Sequence, residues 1–474
     1  MSTAVATAVE HRAGRSGSAE PVIVADFGST FTKVTVVCRR TGRLLATARS
    51  RTTVDTDVMA GFDTAVEALG PGVEGLDDAP SLACSSAGGG LRVGVIGLER
   101  DLTAEAARTA ALGAGAKVET VLTGPRAPVH ELADRPPDIV LLTGGTDGGD
   151  GDALLRSAKA LARLGLDVPV VVAGNREAQE EAVQILRTAG LAVTAAPNVM
   201  PQVGKLECEG VRAALRDVFL EHVIAGKGLS RDRRFTAMVR MATPDAVLAA
   251  TSLLGALTEP ATDLVVVDVG GATTDVHSVV ASAAGIGRSR ALLPEVAAKR
   301  TVEGDLGLRW NARRIVEAAR DESLVQDGEA DRLDVAAEVR ERDPGFVADS
   351  PQELGVDVRL AGLAARLALL RHAGRLAITL SAAGASLRHE GRDLRRSTCV
   401  VGTGGIFEHG AQPELVHVLE AALAPVEGRL LPTAAPRVVA DRRHLLAAAG
   451  VLVGEFPDVA AKLLANHLAT RGAR

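Results

Sequence analysis

Two short stretches that begin about 240 residues apart each set an aspartate at the root of a turn rich in glycine and hydroxyl side chains. The first, Val22 to Val37, contains Asp26, Gly28, Ser29, Thr30 and Lys33. The second, Leu264 to Val279, contains Asp268, Gly270, Gly271, Thr273, Thr274 and Asp275. A phosphate chain needs close backbone N–H donors, and glycine lets the backbone approach because it has no Cβ. The hydroxyls add donors, and Lys33 adds a cation within reach of the same turn. Asp26 and Asp268 are suited to holding Mg²⁺ directly or through its waters, and Asp268 to positioning an attacking water. One such stretch is ordinary hairpin chemistry. Two together suggest a nucleotide clamped between related lobes.

The elements behind these residues follow from the pattern. Each aspartate ends an apolar run of strand length and is followed by a turn and a return strand, so each stretch reads as a β-hairpin. A third strand-and-turn, Cys399 to Phe407, ends in Gly404 and Gly405, which would let the backbone pack on the flat face of a purine. A helix is expected from about Glu414. The small-residue run Leu445 to Gly454 reads as a helix built for close contact with another helix.

A chain of 474 residues exceeds one ordinary core, and strands alternating with helical patterns point to an α/β architecture of two or three domains. Net charge of −6, no Tyr and one Trp argue against a nucleic-acid surface or a base-stacking platform. Cys38, Cys84, Cys208 and Cys399 have no metal-ligand spacing and read as reduced thiols of a cytoplasmic protein. His277 reads as structural or rim-exposed rather than as a ligand. No run is long enough to span a membrane, and residues 1–20 read as a disordered leader. A G-x-x-x-x-G-K-[ST] string is absent, and the glycines at 70, 72 and 75 lack the strand and helix that a dinucleotide loop requires.

Between the hairpins, apolar runs near 138–145, 168–173 and 191–195 alternate with helix-length segments, which predicts a parallel α/β subdomain. Asp147, Asp150 and Asp152 in its Gly-rich loop read as turn residues before a cation site. The expected division is first lobe 21–115, inserted subdomain 116–215 and second lobe 216–474.

In this order the pieces resemble the actin, sugar kinase and heat-shock chaperone ATPase superfamily. The resemblance implies two ribonuclease-H-like lobes closing on ATP and Mg²⁺, with Asp26, Gly28, Thr30 and Lys33 on the first phosphate loop. Asp268, Gly270, Gly271, Thr273 and Asp275 fall on the second, and Gly404 and Gly405 on the adenosine loop. Ala272 departs from the pattern, standing where many relatives have a third glycine. Longer stretches narrow the match: Cys84 to Leu98, Pro137 to Gly149, Pro169 to Asn175, Asn198 to Glu207 and Lys299 to Trp310. Together they resemble the glutamate mutase accessory protein family of the MutL or GlmL type. That family implies an ATP-driven chaperone whose client is an adenosylcobalamin-dependent mutase, releasing damaged cofactor and admitting intact cofactor. Glu303 and Asp305 either face the site or precede a helix N-terminus. A small-molecule kinase of the same fold, an actin-like filament and a binding-only scaffold are the other readings, together with an activator of radical dehydratases, whose shared iron–sulfur cluster the four scattered cysteines do not suit. The D-x-H-x-x-G cobalamin-ligating pattern is absent.

Overall fold

The structure is a computed structural model that describes residues 5–8, 20–70, 73–224, 226–258, 263–280, 296–381, 384–409 and 412–468. Its first sheet is built on Pro21–Phe27, a strand buried at every position. That strand pairs antiparallel with Phe31–Cys38, which pairs antiparallel with Leu44–Arg51. On its other side it runs parallel to Ser81–Ser85, which runs parallel to Val239–Ala242. The third sheet repeats this plan around Leu264–Val269. Thr274–Val279 and Ala298–Glu303 lie antiparallel on one side, and Cys399–Thr403 and Arg437–Ala440 parallel on the other. Numbered within each lobe, both sheets have the order 3-2-1-4-5. The chain therefore has the actin-like ATPase fold, two ribonuclease-H-like lobes of one topology.

Sheet membership crosses the boundaries expected from sequence. Leu91–Gly97 belongs to the second sheet, a parallel five-stranded one with Ala116–Thr123, Ile139–Leu142, Val170–Val172 and Val193–Ala195. The chain returns to the first sheet only at Val239–Ala242. We therefore propose first lobe 20–86 with 239–258, inserted subdomain 87–238, and second lobe from 263. The insertion separates the fourth and fifth strands of the first lobe, and strand patterns do not reveal such a split. Of the expected leader, Val5–Ala8 pairs antiparallel with Leu44–Arg51 at the sheet edge, a place that this Val-Ala-Thr-Ala run suits; the rest of 1–19 lies outside the described residues.

Each lobe's fifth strand leads into a helix, Thr243–Leu257 in the first and Leu445–Glu455 in the second. Their contact is set by Gly450, where a Cβ would lie 1.8 Å from the Ala246 carbonyl oxygen. Residues 445–452 are buried all round, as a helix apolar on every face must be. Pro457–His467 then packs back on the first lobe, where Lys462 Nζ and Asn466 Nδ2 donate to the carbonyls of Arg40 and Thr41. One apolar core therefore contains Val22 and Leu82 of the first lobe, Val266 and Val401 of the second, and Leu446, Leu452 and Leu463 of the two C-terminal helices. Among the described residues no helix is long and apolar enough to cross a membrane.

His277 and His372 are fully buried in the second lobe. Burial, then the Arg300 charge, holds His277 well below the ordinary imidazole value; burial, then Lys299, does the same for His372. His372 sits between the Ser278 and Thr301 hydroxyls at 2.8 Å each, whereas neither nitrogen of His277 has a partner among the described residues. These two rings therefore bind fewer protons in the folded state than in the unfolded chain below about pH 6.5. The stability that the neutral rings contribute is fully present above that pH and is lost as pH falls below it. Each ring contributes a slope of at most about 1.4 kcal/mol per pH unit. Urea titrations of wild type and His277→Leu from pH 7 to 5 should differ by that slope; identical slopes would refute the assignment.

Candidate functional site

Both central strands deliver their aspartate at the same point, and the neighbours differ. In the first lobe Asp26 lies directly opposite Lys33 across the hairpin and beside Cys84 on the parallel strand. In the second lobe the equivalent Asp268 lies opposite Asp275 and beside Thr403. One hairpin thus carries an Asp–Lys pair and the other an Asp–Asp pair, and the two face a common cleft of about 570 Å³ between the lobes.

Charge in the cleft follows from this. Burial works against the Lys33 ammonium, but the carboxylates of Asp26 and then Asp268 outweigh it and raise its pKa above the ordinary value. Lys33 Nζ donates to Asp26 Oδ2 at 3.4 Å, and the Thr243 hydroxyl donates to Oδ1 at 2.7 Å. Burial raises Asp268 to about 7, helped by the facing charge of Asp275, as directly opposed like charges require. Asp275 accepts at Oδ2 from the buried guanidinium of Arg300, while its Oδ1 has no partner among the described residues.

The glycines work by shape. At Gly28 a Cβ would come within 2.7 Å of the Phe31 carbonyl oxygen, against which the hairpin turn closes. Gly404 has φ +107°, and a Cβ there would lie 2.2 Å from the Val269 carbonyl oxygen, while at Gly405 the space is open. Gly404→Ala is therefore expected to cost about 1–3 kcal/mol from the backbone conformation alone and to disrupt the loop, whereas Gly405→Ala leaves stability nearly unchanged. Denaturant titration of the pair tests this; equal effects would contradict it.

Asp26, Gly28, Ser29, Thr30, Lys33, Asp268, Gly270, Gly271, Thr273, Asp275, Gly404 and Gly405 all line the cleft. Thr274 does not. Strand alternation turns it to the opposite face from Asp275, where its buried hydroxyl donates to the Leu306 carbonyl at 2.6 Å. Glu303 and Asp305 are likewise outside the cleft lining and bind Arg371 of the long helix Pro351–His372, each at 2.8 Å. Asp147 accepts from the Arg176 amide and Asn198 Nδ2, and Asp150 from the Asp152 amide, so two of the three aspartates in that loop serve turn geometry. Asp152 begins the helix Asp152–Leu164.

Several residues of the site had no signal in local sequence. Thr243 reaches Asp26 from the start of the first connecting helix. Arg49 of the first lobe bonds Glu408 of the second at 2.8 Å across the cleft, its guanidinium over the Phe31 ring. The stretch that ends at Trp310 braces the turn at 270–272: Leu308 N donates to Gly270 O, and Arg309 N and Trp310 N both donate to Gly271 O, while the next residue, Asn311, donates from Nδ2 to Ala272 O. A Cβ at Gly307 would lie 2.3 Å from the Ala272 carbonyl carbon, so this close cover needs glycine.

A profile of the MutL protein family matches residues 22–468. The chain belongs to the MutL family. It is 38% identical over 459 residues to Protein MutL of Clostridium tetanomorphum, covering 94% of this chain and 98% of that one. Solved structures that align include a glycerol dehydratase reactivase (11% identity, TM-score 0.33, 91% of this chain and 99% of that chain). Another is the activator of 2-hydroxyisocaproyl-CoA dehydratase from Clostridium difficile with bound ADPNP (10% identity, TM-score 0.33, 93% and 95%). Overlaps this loose add nothing to the strand order, on which the fold assignment of this MutL-family chain rests.

Proposed function

We propose that this MutL-family chain is a Mg²⁺-dependent ATPase that acts as a reactivating chaperone for an adenosylcobalamin-dependent mutase such as glutamate (methylaspartate) mutase. The observation that carries the ATPase reading is the facing of Asp26–Lys33 and Asp268–Asp275 across one cleft, each at the same position of a duplicated lobe. The donor set fits Mg²⁺. Among the described residues no cluster of three or more His, Cys, Asp or Glu forms a metal cage. Mg²⁺ characteristically takes one or two carboxylates and completes its shell with waters and phosphates.

Asp26 and Asp268 would hold the ion or its waters, and Gly28, Ser29, Thr30, Gly270, Gly271 and Thr273 would present donors to the phosphates. Mg²⁺ supplies charge neutralisation at the phosphates when bound. Lys33 adds a fixed cation, and Asp268 orients the attacking water. Gly404 and Gly405 offer a flat surface to the adenosine. Lobe closure, with the two connecting helices as the hinge, biases an interface with the mutase. The family membership and the expected role of its members support the client; four buried, unpaired cysteines suit a reducing cytoplasm.

The test is Mg²⁺-dependent ATP hydrolysis by the pure protein, with and without a candidate cobalamin mutase inactivated by hydroxocobalamin. Hydrolysis with recovered mutase activity is the expected result. Hydrolysis without recovery would remove the client and favour the kinase of the same fold; no hydrolysis would remove the ATPase.

A further inference from the structure

Arg300, on the second-lobe strand Ala298–Glu303, is buried where that lobe meets the inserted subdomain. Its Nε and Nη2 both donate to Oδ2 of Asp275, at 3.0 and 2.6 Å. Its Nη1 donates to the carbonyls of Leu112 at 3.2 Å and Ala116 at 2.9 Å. Leu112 lies at the C-terminal end of the helix Glu105–Gly113 and Ala116 opens the strand Ala116–Thr123, both in the inserted subdomain. A second tie lies alongside: Arg212 of the inserted subdomain donates from Nη2 to the Ala298 carbonyl, two residues before Arg300 on its strand. Asp275, at the other end, stands opposite Asp268 and lines the cleft.

We infer that Arg300 is a positioning residue that couples the acidic pair of the cleft to the inserted subdomain. The inference rests on the nucleotide reading of the cleft. Its physical basis is the asymmetry of the contact. One carboxylate oxygen of Asp275 takes Nε and Nη2 of the guanidinium, and the other, buried oxygen takes no donor among the described residues. A buried oxygen without a partner is costly and will accept the first donor or cation that arrives. When Asp275 takes such a partner from the cleft side, its hold on Arg300 weakens or turns. The guanidinium is a rigid planar fork, so that movement is carried to its Nη1 contacts. One of those contacts, the Leu112 carbonyl, lies at a helix C-terminal end, which favours a nearby cation and keeps Arg300 engaged with the inserted subdomain. Charge in the cleft and the seating of residues 105–123 on the second lobe are thereby linked.

The experiment is hydrogen exchange of the full chain with and without Mg²⁺ and a non-hydrolysable ATP analogue, with binding followed separately by calorimetry. In the wild type the analogue should change exchange across 105–123 by about fivefold or more, the lower end of ordinary coupling between sites. In Arg300→Met the analogue should still bind, and that change should vanish. Arg300→Lys keeps the charge against Asp275 but lacks the fork that reaches Asp275 and the two carbonyls at once; it should also lose the change, and it is read in place of Arg300→Met if that variant does not fold. Persistence of the exchange change in a variant that binds would overturn the inference. So would a wild type that binds the analogue without any change at 105–123, and this outcome leaves the nucleotide reading standing. A wild type that does not bind the analogue removes both.

Discussion

Replacing Asp268 by Asn should lower ATP turnover by at least about 100-fold and, in protein free of nucleotide and Mg²⁺, should raise stability above pH 7. The two effects have one cause. Asp268 has a pKa of about 7 in the folded chain against an ordinary 3.8, because burial and the facing Asp275 disfavour its charge. A raised pKa contributes stability below the unfolded value, and that contribution is lost as pH rises through the folded value. Above pH 7 the ionised carboxylate therefore costs at most about 4 kcal/mol, and partial access to water brings this nearer about 2 kcal/mol. Asn removes the charge and keeps the shape. The stability difference between the variant and wild type should close as pH falls from 7 towards 4. Denaturant titrations at pH 8 and pH 5 check the sign, and a variant less stable than wild type at pH 8 would defeat the argument.

The second large effect lies where the helices Thr243–Leu257 and Leu445–Glu455 meet. Gly450→Val should destabilise the chain by more than about 3 kcal/mol, the upper end of ordinary overpacking costs. A Cβ at that position would meet the Ala246 carbonyl oxygen at 1.8 Å and its carbonyl carbon at 2.4 Å. The obstacle is backbone of the opposing helix, which has no rotamer to change, so the two connecting helices must separate and open the core shared by the lobes. Gly454, one turn further along the same helix with no atom within 4 Å, is the control. There alanine should be neutral or stabilising by up to about 1 kcal/mol through helix propensity. Unfolding midpoints of the two variants decide it, and comparable losses at both positions would show that close helix contact is not the reason for Gly450.

Much of this was legible because it is local. Asp26 and Asp268, the turn glycines and Gly404 are encoded within strand–turn units of about a dozen residues, where apolar runs and glycine positions are read directly. Thr274 was misplaced because a turn's hydroxyls look equivalent in sequence, while the pleat puts Thr274 and Asp275 on opposite faces. Glu303 and Asp305 were left undecided between two readings, and Arg371, a distant residue on a long helix, settles their partner. Arg300, Arg49 and Thr243 were missed for the same reason: each acts through a contact between elements far apart in the chain. The fifth strand of the first lobe is four residues long and pairs with Ser81–Ser85 across the whole insertion. Neither its composition nor its length announces that partner. The 302–310 stretch was visible as a signature, yet its physical task, holding the carbonyls of Gly270 and Gly271, is visible only in three dimensions.

The shared core has a consequence for how the protein is made. Strands from both lobes contribute Val22, Leu82, Val266 and Val401 to it, and the side chains between them come from the helix Thr243–Leu257 and from residues 445–468. On the ribosome, the strands and the first of these helices emerge well before residues 445–468. A nascent chain with both sheets formed would thus present an uncovered apolar seam until Leu445–His467 arrives, the kind of surface that invites aggregation or chaperone capture during synthesis. Slowing elongation just before this segment should lengthen that exposure, and supplying it early, by circular permutation that places 445–468 ahead of residue 20, should shorten it.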